Sequence, residues 1–126
     1  MELRDLVGGE VVSIATDATV AEGAASMQQA GVGSLAVVEN GDFYGIFTER
    51  DVVRSVASGH SPQEETVGEW MTPYPDSFSP DMSVRDAADW MLAVGYRHLP
   101  LVEKDDLIGM ASIKDILWAL TSEPTS

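Results

Sequence analysis

Apolar residues recur along this chain in two rhythms, and the whole pattern occurs twice. Val20, Ala24 and Met27 fall four and then three residues apart, the spacing of one buried helix face, and Val84, Ala88 and Met91 do the same. Each run follows a hydroxyl with a carboxylate three residues on, Thr19-x-x-Glu22 and Ser83-x-x-Asp86, which predicts a capped helix start. Gly31 and Gly95 predict the helix ends. Strand-length apolar runs follow, LAVVE at 35–39 and LPLVE at 99–103, each closed by a turn and a second strand, FYGIF or LIGMA. Asn40-Gly41 is a strong two-residue hairpin signal and Lys104-Asp105 a weaker one. Further helices are predicted from about Glu49 to Ser58 and from about Ile113 to Thr121. An extended stretch from Val11 to Ile14 opens the first half, and Pro73 and Pro75 keep the opening of the second half from being helical.

Residues 17–54 lie over residues 81–118 at a constant offset of 64, with identity at 11 of 38 positions, so the pattern is a repeated structural unit. Apolar lead-ins, Leu3, Leu6 and Val7 against Val67, Trp70 and Met71, carry the repeat back to about residue 3. The expected architecture is α+β, each half running strand, helix, strand, strand, helix. Repeat one spans 3–58, a polar linker 59–66, repeat two 67–121 and a disordered tail 122–126. A chain of 126 residues suits one compact module rather than a catalytic domain beside a separate sensor.

Composition narrows the function classes. No cysteine is present, which excludes disulfides, thiolate metal sites and a cysteine nucleophile. The formal charge of −14 disfavours nucleic acid, whose binding rests on neutralising phosphates with Lys and Arg. The acidity reads as a solvated, self-repelling surface, with adaptation to a salt-rich cytoplasm as the alternative reading. No apolar run approaches a membrane span and MELRDLVGGE lacks the features of a signal peptide, so a soluble cytoplasmic protein without membrane partners is expected.

The tandem βαββα order, with GIFTERD at 45–51, GMASIKD at 109–115 and GYRHLPLV at 95–102, resembles a pair of cystathionine-β-synthase (CBS) domains, the stand-alone Bateman-type module. The resemblance covers residues 3–121. It implies a pseudo-two-fold pair of repeats with two clefts between them, binding adenine nucleotides (AMP, ADP or ATP), NAD or S-adenosylmethionine as an adenosyl ligand. It also implies a regulatory rather than enzymatic role, no required cofactor, a homodimer and a regulated protein that the sequence does not name. The alternative is a non-catalytic dimerisation or interaction module with both clefts empty.

By the same resemblance Asp51 and Asp115 hold ribose hydroxyls, and Thr48 and Ser112 help to bind ribose or phosphate. A carboxylate is an acceptor-only group suited to two vicinal hydroxyls, and a helix start offers amides to an anion. The same residues are equally helix caps, and the two roles are compatible. The halves differ on the phosphate side: Arg97-His98 in the second stands where the first has Gly33-Ser34, and Lys114 corresponds to Arg50. The favoured cleft therefore combines Thr48, Asp51, Arg97, His98 and Lys114, and the second cleft has Ser112, Asp115, Arg50 and Ser34. A solvated Arg97 and a half-buried His98 packed on Tyr96 is the structural alternative. Trp70, Trp90 and Trp118 read as core or interface. The acidic pairs Glu64-Glu65 and Asp105-Asp106 read as solvated surface, His60 lacks a second ligand at useful spacing, and no nucleophile has a base beside it, so neither a metal site nor catalysis is expected.

Overall fold

The structure, a computed structural model, describes residues 1–8 and 11–122. In chain order its elements are a 3-10 turn at Leu3–Leu6, β1 (Ser13–Ile14), α1 (Val20–Ala30), β2 (Ser34–Glu39), β3 (Asp42–Thr48), α2 (Glu49–Ala57), α3 (Val67–Trp70), β4 (Thr72–Pro73), α4 (Val84–Val94), β5 (His98–Glu103), β6 (Asp106–Ser112) and α5 (Ile113–Ser122). This is a mixed α+β chain of two tandem repeats. The expected tail at 122–126 meets α5 at Ser122, and its last four residues lie outside the described residues.

The compact units do not follow the sequence repeats. A central unit runs from Val11 to Pro75, and a terminal unit joins Met1–Glu10 to Asp76–Ser126. Each lead-in has changed partners. In the central unit the Val67 and Gly68 amides donate to the carbonyls of Ala18 and Thr16 at 2.8 and 2.9 Å. In the terminal unit Leu3 and Arg4, the repeat equivalents of those residues, donate to Met82 and Pro80 at 2.9 and 2.8 Å. Val67 thus completes a core of Val20, Met27, Leu35, Val37 and Phe47, while Leu3 joins Val84, Met91, Leu99, Leu101 and Ile116. Both are fully buried.

The central sheet has the order β1-β2-β3-β4, with β1 parallel to β2 and the other pairs antiparallel. Pro73, which cannot donate to a ladder, sits on the edge strand. In the terminal unit β5 and β6 form the hairpin, and the expected preceding strand shrinks to one bridge, Phe78 to Leu101. Asp76 stands where the first repeat has β-branched Val12, and its carboxylate accepts a hydrogen bond from the Tyr96 hydroxyl. That bond raises the Tyr96 pKa above the ordinary tyrosine value. Both hairpins carry a bulge at equivalent points, between Val37 and Val38 and between Leu101 and Val102.

The hairpin turns are alike despite unlike residues. Asn40 and Gly41 have φ of 52° and 82°, and Lys104 and Asp105 have 52° and 67°. A left-handed Lys-Asp pair strains a turn that Asn-Gly adopts freely. Lys104→Asn with Asp105→Gly is therefore expected to stabilise the protein by about 1 kcal/mol in urea denaturation. An unchanged midpoint would count against that strain.

The carboxylates closing β2 and β5 are tied down differently. Glu39 accepts the Thr16 amide and hydroxyl at 2.8 and 2.6 Å. The repeat equivalent of Thr16 is Pro80, which has no amide to give, and Glu103 pairs with Arg4, which also reaches Asp81. These bonds hold both glutamates below the ordinary carboxylate range. Their stabilisation is complete above that range and is lost as pH falls through the lowered values. A melting temperature that declines on acidification below the glutamate range is the expected record, with salt weakening the exposed Arg4 share.

One core position breaks the usual satisfaction of buried polar groups. The Ser55 hydroxyl is buried with no hydrogen-bond partner among the described residues, and its repeat equivalent is Ala119. Ser55→Ala is expected to raise stability by about 1 kcal/mol, since an unmade buried hydrogen bond costs that order. Destabilisation in a denaturant titration would refute it.

Candidate functional site

Each unit ends its hairpin in a helix start built from a hydroxyl and a carboxylate. In the central unit Thr48 caps α2: the Asp51 amide donates to Thr48 Oγ1 at 3.4 Å, and the Thr48 amide donates to Asp51 Oδ2 at 2.9 Å. In the terminal unit the Asp115 amide donates to Ser112 Oγ at 3.2 Å, and the Ser112 amide donates to Asp115 Oδ2 at 3.0 Å. The capping role expected of both pairs is thus present, and it uses one oxygen of each carboxylate. The amides of Glu49 and Ile113, first in each helix, donate to the carbonyls of Gly33 and Arg97 at 3.1 and 2.8 Å. Those of Arg50 and Lys114 come next, in the first turn, where a helix has no acceptor of its own to offer.

Strand register decides which other side chains gather here. Ser34 is opposite Thr48 and buried, while His98 is opposite Ser112 and half-buried. Arg50, Arg97 and Lys114 are exposed. The central unit therefore assembles Ser34, Thr48, Arg50 and Asp51, and the terminal unit assembles Arg97, His98, Ser112, Lys114 and Asp115. The favoured set from the sequence draws members from both units.

The sequence reading missed Arg54. Its Nη1 donates to Asp51 Oδ1 at 3.0 Å, and its guanidinium carbon lies 5.6 Å from the centre of the Trp70 ring. Trp70 in turn donates to Glu65 at 3.4 Å, and His60 approaches the same Glu65 oxygen at 3.7 Å. Asp51-x-x-Arg54 was visible as an oppositely charged i, i+3 pair on a predicted helix. Trp118 holds the equivalent place in the second repeat.

An open pocket of about 510 Å³ lies elsewhere, within the terminal unit, lined by Asp76, Ser77, Phe78, Ser79, Met82 and Trp90. It contains none of the predicted ligand residues. Among the described residues no three His, Cys, Asp or Glu side chains come together to hold a metal ion, and no helix is long and apolar enough to cross a membrane.

A tandem repeat that twice ends a β-hairpin in a hydroxyl-and-carboxylate helix start defines a paired α+β module. The chain belongs to the CBS-domain family, whose model matches residues 3–58 and 67–122. It is 33% identical over 115 residues to the CBS domain-containing protein YhcV of Bacillus subtilis, covering 90% of this chain and 81% of YhcV. It is 34% identical over 128 residues to the meiotically up-regulated gene 70 protein of Schizosaccharomyces pombe, covering 98% of this chain but only 18% of that longer protein. Among solved structures, the CBS domain protein NE2398 is similar at a TM-score of 0.91 and 26% identity, over 97% of this chain and 98% of that one. The CBS domain pair of MJ0100, solved with 5′-methylthioadenosine and S-adenosyl-L-methionine, shares the fold at a TM-score of 0.88 and 19% identity, over 98% of each chain.

Proposed function

We propose that this chain is a ligand-sensing regulatory module that takes an adenosine-containing ligand in a cleft between its repeats and signals by a shift in conformation. The observation that carries this reading is the paired helix start, each placing a carboxylate in the first turn of a helix, the chemistry of a ribose next to a phosphate or other anion. The bound methylthioadenosine and S-adenosylmethionine of MJ0100 support it from outside. Thr48, Asp51, Arg97, His98 and Lys114 are the favoured ligand residues, and Ser112, Asp115, Arg50 and Ser34 the second set. With the chain at −14, ligands of modest charge such as AMP, NAD or S-adenosylmethionine are at least as suitable as ATP. A non-catalytic role in the cytoplasm belongs to the same proposal.

Thermal unfolding with AMP, ADP, ATP, NAD and S-adenosylmethionine, each in large excess, tests it. A ligand at 100 times its dissociation constant adds about 2.7 kcal/mol, a shift of several degrees for a domain of this size. Asp51→Ala and Asp115→Ala also remove a cap, so the comparison is each variant's increment with ligand over its own melting point. No increment with any of the five in the unsubstituted chain defeats the reading.

The second reading, an interaction module, is favoured by apolar residues left in water on α2 and α5. On α5, Leu117 and Trp118 are 56% and 60% exposed, and on α2, Val53 and Val56 are exposed as well. A homodimer through these helices would revert to monomer on Leu117→Glu in sedimentation analysis, and an unchanged oligomeric state would remove α5 from the interface.

A further inference from the structure

The repeats put the same carboxylate at the same helix position and then treat its second oxygen differently. Asp51 is 4% exposed, with Oδ2 on the Thr48 amide and Oδ1 on Arg54. Asp115 is half-buried, with Oδ2 on the Ser112 amide, and among the described residues Oδ1 has no donor. The cause is a single exchange at equivalent positions: Arg54 supplies a cation, while Trp118 supplies none that could reach a carboxylate.

We propose that Arg54 is an internal competitor for the ligand at Asp51. The inference rests on the reading of Asp51 and Asp115 as ribose-holding carboxylates and adds a device that the second repeat lacks. A vicinal diol must donate to the free oxygen of the carboxylate, and at Asp51 that oxygen already accepts a charge-assisted bond. Trp70 keeps the guanidinium at hand through its ring face, so the competitor is positioned rather than loose. Arg54 can nevertheless leave. Its side chain is 57% exposed, and a long stem lets the head swing into water while its methylenes stay on the protein. The unsubstituted chain therefore has one site open as it stands, at Asp115, and one that fills only when Arg54 moves aside. Screening weakens the ion pair and leaves a neutral diol untouched, so salt favours the ligand at Asp51 over Arg54.

Calorimetric titration of the full chain with AMP, NAD and S-adenosylmethionine as probes tests this, using Arg54→Ala, Arg54→Gln, Asp51→Ala, Asp115→Ala and the double variant Arg54→Ala with Asp51→Ala. Arg54→Gln keeps the stem and the helix propensity while deleting the charge. In both Arg54 variants, binding that Asp51→Ala abolishes should tighten by about three- to tenfold, the scale of a half-exposed ion pair, or become measurable for the first time. Binding that Asp115→Ala abolishes should not change. Asp51-dependent binding that is indifferent to Arg54, or weaker without it, overturns the competitor and leaves the adenosyl reading standing. Silence of all three probes in every variant overturns both.

Discussion

Leu3→Ala is expected to destabilise the protein by about 2–5 kcal/mol, the range for deleting a fully buried leucine side chain. The reason is the exchange of lead-ins. Leu3 is completely buried within the terminal unit, against a core built from residues 84–119, and its amide is bonded to Met82. The damage should fall on the second repeat in sequence, since the central core of Val20, Met27, Leu35, Val37, Phe47 and Val67 contains no residue from the N-terminal segment. Hydrogen exchange resolved by residue would then show faster exchange in β5, β6 and α4. A loss confined to β1–β4 would show that the lead-in serves its own repeat instead.

Gly45→Ala is the second large effect, at about 1–3 kcal/mol, because overpacking a tight site forces backbone to move. A Cβ at residue 45 would lie 2.7 Å from the Thr72 carbonyl oxygen and 2.7 Å from Met71 Sδ. The sulfur can turn away, but the carbonyl belongs to β4, which pairs with β3 at Gly45 itself. Gly109 is the matched control: its Cβ would strike Val7, a side chain rather than backbone, at 2.7 Å. Denaturant titration should find Gly109→Ala the milder of the two. Equal costs would mean that the strand carbonyl yields as readily as a valine.

These effects show what could be read from residues alone and what could not. Helix faces, caps and hairpins are local, so Thr19-x-x-Glu22, Gly31 and Asn40-Gly41 announced them directly. The exchange of lead-ins is not local. A repeat makes two docking surfaces nearly identical, and nothing in Leu3 or Val67 says which copy of the surface each one meets. Chain geometry settles it. Gly45 and Gly109 were legible as motif glycines, yet the bulge beside each and the close approach it permits appear only when the strands are paired. The strand expected before α4 failed for a readable reason, since Pro100, which has no amide to give, stands where Ala36 donates to Val12 in the first repeat. At the candidate site the caps are local spacings and were legible, whereas the place of Arg54 depends on Trp70 of α3 packing over its guanidinium, a contact made only on folding.

The division of the chain also sets an order of assembly during synthesis. Every residue of the central unit has been made once Pro75 has been added, so its core can close while the rest is still being translated. Leu3, made ahead of the central unit, has no core to enter until strands β5 and β6 and helix α4 exist some hundred residues later. The first lead-in is therefore made before the central unit yet buried after it, and until then it is an apolar segment in search of a partner, open to chaperones or to the unfinished repeat of a neighbouring chain.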